Sequence, residues 1–204
     1  MPNFTDLTGL ASVASAMAAS PLLLPWSKRI SDRHRAWATG AVFVIALIPF
    51  GGFPLAAYVR GATGDLSITT LVILWCALLR PWFAFAANYS RQRVALLALI
   101  VFAAVALYPM ALGFGSFDPY RLGYGNWAFV LALLLASLTA WGWKNYPAAL
   151  CVALAALAWA IGWYESGNLW DYLLDPFVAI YALATLLTRA LTSIQSVIHN
   201  NERA

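Results

Sequence analysis

The sequence predicts an all-α protein, a polytopic transmembrane helical bundle of six or seven spans with no soluble domain. Hydrophobic residues make up 63% of the 204 and charged residues only 10%, against about a quarter charged in soluble domains. Mean hydropathy is +0.75. Apolar stretches of membrane length, about 20 residues, follow one another along the chain, and the cationic residues fall in alternate gaps between them. These features make residues 1–204 a single integral membrane domain, with spans expected at 36–59, 67–88, 94–113, 127–143, 147–163 and 176–197 behind a weaker first segment at 7–26.

That first segment, Leu7 to Trp26, is mostly Ala, Ser, Gly and Leu, and no Lys or Arg precedes it. The basic cluster Lys28, Arg29, Arg33 and Arg35 follows it, the reverse of a cleavable leader. It either spans with its N-terminus outside or lies at the interface on Leu10, Val13 and Met17; the basic block behind it, acting as a cytoplasmic anchor, favours spanning. In the next segment the run IPFGGFP at 48–54 places two prolines and two glycines inside a span. A proline kink packed on its neighbours is expected there, with a transporter-like discontinuous helix as the functional alternative.

The third segment, SITTLVILWCALLRPWFAFAANYSRQR at 67–93, carries Arg80. Eleven residues separate it from Arg91, about 16 Å at about 1.5 Å per helical residue. An arginine that deep costs about 2.5 to 3.5 kcal/mol on insertion scales, so it is expected to face helices, water or an anionic partner. Arg80-Pro81 is not the lipid-phosphatase signature, since the preceding lysine and the catalytic histidines are missing.

Span 94–113 ends in a loop dense in Gly, Pro, Tyr and Phe, where Asp118 before Pro119 is expected to make a turn or to pair with Arg121. Residues 127–143 and 147–163 read as a helical hairpin closed by Lys144 and Asn145. On its second arm Ala149, Ala153, Ala156 and Ala160 form a small-residue stripe suited to a neighbouring helix, and Leu150, Leu154, Leu157 and Ile161 face lipid or a partner. The loop YESGNLWDYLLDP holds Glu165, Asp171 and Asp175, and Asp175-Pro176 reads as a helix start.

Following the alternation from an outer N-terminus puts Lys28, Arg29, Arg33, Arg35, Arg91, Arg93, Lys144 and Arg203 inside, with Arg60 and Arg121 outside. Asp65, Asp118, Glu165, Asp171 and Asp175 then share the outer side. Brevity, the missing leader and this asymmetry place the chain in a bacterial inner membrane with its C-terminus cytoplasmic.

Both histidines, His34 and His199, lie in polar flanks, which removes an intramembrane haem or zinc site. Both lysines lie outside the spans, which removes a retinal Schiff base. Cys76 and Cys151 read as buried hydrophobes. No phosphate loop, nucleophile elbow or zinc-protease motif occurs, so neither cofactor nor metal is expected, and the scattered basic residues do not suggest nucleic acid. The expected partners are the lipid bilayer and a membrane protein or a second copy of the chain. The leading expectation is a non-catalytic subunit or scaffold for another envelope protein. The alternatives are a small transporter or channel subunit using Arg80 for an anionic solute or lipid, and an enzyme on a lipid-linked substrate at the outer face. Candidate binding residues are Arg80, Asp118, Arg121, Glu165, Asp171 and Asp175.

Overall fold

The computed structural model of the chain describes residues 4–23, 31–79 and 89–201, and among these the protein is all-helical apart from one minimal hairpin. Its α-helices are α1 (Phe4–Ala19), α2 (Asp32–Leu47), α3 (Leu55–Thr63), α4 (Ile68–Leu79), α5 (Tyr89–Ala111), α6 (Trp127–Gly142), α7 (Tyr146–Ala160), α8 (Leu169–Leu173) and α9 (Pro176–Asn201). Short 3-10 turns follow α1 at Ser20–Leu23 and precede α6 at Pro119–Gly123. Arg80 lies outside the described residues, as do Lys28, Arg29 and Arg203.

The main core is built where α4, α5, α7, α8 and α9 meet, around Leu97, Leu107, Cys151, Ala155, Leu169, Tyr172 and Val178. A second, smaller core joins α1 to α2 and α3 through Val13, Ala14, Ala46 and Ala56. The weak apolar segment at the N-terminus is therefore among the most deeply packed. Thr8, Gly9, Ser12, Val13, Ala14, Ala16, Ala18 and Ala19 of α1 are all buried, because small side chains let neighbouring backbones approach closely. Polar contacts tie it to the rest: the Trp163 indole donates to Ser12 (3.1 Å), the Trp75 indole to Ser15 (2.5 Å), and the Thr8 hydroxyl to the Trp163 carbonyl.

The exterior is apolar. Phe102 on α5, Leu135 and Leu138 on α6, Leu154 and Leu157 on α7, and Ile161 just past its end are all exposed, and α6 buries none of its side chains fully. Among the described residues two helices are long and apolar enough to cross a membrane, Arg91–Ala111 and Pro176–Ser196. The outward branched face of α7 is as expected, but the small-residue stripe is rotated. Ala148, Ala149, Cys151, Ala155 and Ala158 are buried, whereas Ala153 and Ala160 are exposed. Cys151 enters the core in their place, and both faces offer the same three- and four-residue spacing, so small size alone does not select between them.

Segment 36–59 corrects the expectation of a single kinked span. Pro49 cannot continue α2, since it lacks the N–H and clashes with the preceding turn, and Ile48 before it is extended (φ −71°, ψ 129°). Pro49–Phe50 (β1) and Phe53–Pro54 (β2) then pair antiparallel, Phe50 opposite Phe53. Gly51 (φ 64°) and Gly52 (φ 104°) make the turn, the two positive-φ residues that a tight hairpin of this hand demands. Helix resumes only at Leu55. The element is broken outright.

Candidate functional site

The acidic residues gather at one end of the bundle, where the loops after α3, α5 and α7 converge. Asp65, Tyr164, Ser166, Leu174, Asp171, Asp175 and Pro176 line an open cleft there of about 260 Å³. The opposite end of α7 holds the cationic turn, at which the Gln92 amide donates to the Lys144 carbonyl (2.6 Å) and Arg93 bonds to Tyr181 on α9. With 15 residues in α7, these ends lie about 22 Å apart at about 1.5 Å per residue.

Asp175 is the best-anchored carboxylate of the cleft. It caps α9 by accepting from the Val178 N–H (2.8 Å), as Asp-Pro at a helix start implies. Its other oxygen accepts from the Ser67 N–H (2.8 Å) and the Thr70 hydroxyl (2.5 Å), fastening α9 to the start of α4. Only 5% of it is exposed. Asp171 accepts from the Tyr120 hydroxyl (2.9 Å) and the Ser166 hydroxyl (2.5 Å). Burial first, and then the bond to Asp171, raise the Tyr120 phenol above its ordinary value. Burial likewise raises Tyr164 and Tyr172; the Tyr172 hydroxyl donates to the Tyr164 carbonyl (3.1 Å), and the Tyr164 hydroxyl to the Leu66 carbonyl (2.8 Å).

On the flank of the cleft Arg60 grips Asp65 with two bonds, Nε at 2.6 Å and Nη2 at 3.0 Å, and lies 3.5 Å from Asp6. Gly9 makes room for it, since a Cβ there would stand 2.5 Å from the guanidinium carbon. The bond to Asp65 raises the Arg60 pKa against the opposing effect of partial burial. The sequence places Arg60 and Asp65 on one side of the membrane but does not pair them, and neither is among the six candidate binding residues. The five-residue spacing of Arg60 and Asp65 across the GATGD turn was the available signal, and Asp6 is brought in only by the packing of α1.

Of the six candidates, Asp171 and Asp175 come together on the cleft. Glu165 lies in the same loop, exposed. Asp118 caps the 3-10 turn by accepting from the Tyr120 N–H (2.9 Å), while Arg121 is exposed and the suggested Asp118–Arg121 pair does not form. Among the described residues no three of His, Cys, Asp and Glu are grouped to hold a metal ion. Asp65, Asp118, Asp171 and Asp175 each accept hydrogen bonds within the fold, and together they build a polar, cross-linked end cap. Comparison with known proteins finds no match to the chain among family models, curated proteins or solved structures.

Proposed function

We propose that the chain is a multi-pass protein of a bacterial inner membrane, its C-terminus in the cytoplasm, acting as a non-catalytic subunit or scaffold that docks another membrane protein. The observation that carries this reading is the hairpin between α2 and α3. Ala46 before it and Ala56 after it both pack on Val13 and Ala14 of α1. Val13 lies nine residues past Phe4, about 14 Å down the helix at about 1.5 Å per residue, and Phe4 packs on Trp163 at the acidic end. The hairpin thus leaves the bundle from the middle of α1. It carries outward Phe50 (82% exposed) and Phe53 (63%), together with the exposed Gly51-Gly52 turn; Pro49 and Pro54, paired across the hairpin, have no N–H and leave only carbonyls on its outer edges.

Lipid tails can cover the phenylalanines but cannot satisfy the peptide groups of the exposed Gly51-Gly52 turn or the outward carbonyls of Pro49 and Pro54, and irregular backbone at membrane depth is tolerated only against protein or water. A docked protein meets both needs. The hairpin is also held in shape for this role: the Tyr58 hydroxyl donates to the Phe50 carbonyl (3.2 Å), and the rings of Phe53 and Tyr58 meet edge to face at 6.2 Å. Helices α6 and α7 are short for a bilayer, and the exposed Trp127, Trp141, Trp143 and Tyr146 at their ends suit an interfacial belt that tolerates such mismatch.

The same break also supports a transport reading, because discontinuous helices build substrate sites in carriers; uptake of an anionic solute abolished by Arg80→Ala would favour it. The enzymatic alternative draws less support, since four of the acids at the cleft end are engaged within the fold. The docking reading is tested with a photoreactive phenylalanine analogue at Phe50 or Phe53 in native membranes. It expects a discrete protein adduct, missing when the analogue is placed at Leu135 on α6. Adducts to lipid alone, or equal adducts at Leu135, would contradict it.

A further inference from the structure

The end of the bundle opposite the cleft carries cations that the fold leaves without a counter-charge. Arg60 is met by two carboxylates and Arg35 by one, whereas Arg91, Arg93 and Lys144 form no ion pair among the described residues. The turn between α6 and α7 brings these three together. The Gln92 amide donates to the Lys144 carbonyl (2.6 Å), which fixes the first turn of α5 beside that turn. Successive helical residues stand about 100° apart around the axis, so Arg91 and Arg93 flank the contact on either side. Arg93 is held by Tyr181, donating to its hydroxyl with Cζ 5.8 Å from the ring centroid. Arg91 and Lys144 are exposed.

Lys144 stands where lysine is unfavourable. Its N–H donates to the Trp141 carbonyl (2.8 Å) and the Asn145 N–H to the Ala140 carbonyl (2.8 Å), the paired bonds that close a helix through one left-handed residue, most often glycine. Lys144 is that residue at φ 59°, the one non-glycine with positive φ among the described residues. Gly142 lies two positions earlier, within α6, and does not serve the turn. The backbone cost is borne by a residue that sets an ammonium at the tip of the hairpin, beside the exposed Trp141, Trp143 and Tyr146. Such aromatic residues settle at the headgroup level of a bilayer.

We infer that Lys144 and Arg91, with Arg93 beside them, bind the phosphate of an anionic phospholipid at the inner membrane surface. The headgroup supplies the negative charge that the chain lacks at this end, and basic residues between helix ends select such lipids on the cytoplasmic side. A soluble anion fits less well. The hollow that Arg93 borders with Val72, Cys76, Leu97 and Pro147 measures about 10 Å³, room for about one water, so nothing encloses a free ion. On an open surface a charge pair gains little, but a lipid headgroup is already confined to that depth by its own chains. A zwitterionic lipid offers the same chains with a cation of its own beside the phosphate, so charge separates specific binding from general solvation. The inference rests on the membrane placement proposed above and makes no use of the hairpin.

The test is native mass spectrometry of the full chain in a mild detergent, offered equal amounts of phosphatidylglycerol and phosphatidylcholine of the same chain length. Phosphatidylglycerol should be retained in excess, and Lys144→Gly and Arg91→Gln should each lower that excess about fivefold, the effect of one cation at an anionic surface. Lys144→Gly should meanwhile keep or raise the thermal midpoint, because glycine suits the left-handed position. A fall in both would make the lysine structural and overturn its role as a ligand. Arg33→Gln takes the same charge from α2, which packs on α1 and α3, and should leave the excess intact. Equal retention of the two lipids, the result expected if an acidic protein covered these cations, would overturn the inference and leave the membrane placement standing. Displacement of phosphatidylglycerol by equimolar inorganic phosphate would overturn it in favour of a soluble anion. Retention of neither lipid would count against both the inference and the membrane placement.

Discussion

Gly123 shows how one residue joins the two loops that cap the acidic end. A Cβ there would stand 1.7 Å from the Asn168 side-chain oxygen and 2.9 Å from the Trp170 ring. Neither neighbour can withdraw. Asn168 is fully buried, its amide donating to the Tyr120 carbonyl (3.0 Å) and its oxygen accepting from the Trp170 N–H (3.0 Å), while the Trp170 indole donates to the Pro119 carbonyl (3.0 Å). Gly123→Ala should therefore cost about 1 to 3 kcal/mol, the range for overpacking a filled site. Gly167→Ala, with nothing within 4 Å of its added carbon, should leave the thermal midpoint of the purified chain nearly unchanged. Equal midpoints for the two variants would contradict the packing described. The sequence marks residues 113–126 as turn-rich, but it does not distinguish the glycine that turns from the glycine that packs, because the atoms that forbid a Cβ lie some 45 positions onward.

Among the elements, the starts and ends of helices were legible wherever the signal is local. Asp175-Pro176 announces α9, and Pro49 ends α2. The outright break at 48–54 was legible only as a possibility beside the kink, since IPFGGFP is compatible with both. What separates them is Gly51 and Gly52 both taking positive φ, so that the strands can pair. Long-range bonds were not legible at all: the carboxylate of Asp175 reaches Ser67 and Thr70, more than a hundred positions earlier. That second role makes a prediction. Asp175→Ala removes a cap, worth about 1 kcal/mol, and also leaves the buried Ser67 N–H unsatisfied, a further cost of about 1 to 3 kcal/mol. Asp118→Ala, which loses a half-exposed turn bond, should cost no more than the cap alone. Unfolding of both variants in detergent measures the difference, and equal losses would show that Asp175 does not fasten α9 to α4.

For the whole molecule, composition and charge alternation carried most of the reading, and the structure adds the separation of its ends. Acids named from the sequence as sharing one side do converge at one end of the bundle, and the Lys144 turn lies at the other. The depth at which α1 is buried was not legible, because its Ala, Ser and Gly score weakly as apolar while packing tightly as small. Arg80 lies outside the described residues, and the features that bear on a membrane placement are the hairpin, the capped acidic end and the apolar exterior. The most direct test that the bundle crosses a bilayer is the accessibility of single cysteines in sealed membrane preparations, with Cys76 and Cys151 replaced by alanine. A membrane-impermeant thiol reagent added from the outer side should label Gly167→Cys in the acidic loop and leave Lys144→Cys unlabelled until the membrane is opened. Labelling of both positions from the same side would contradict a bundle that crosses the bilayer between them.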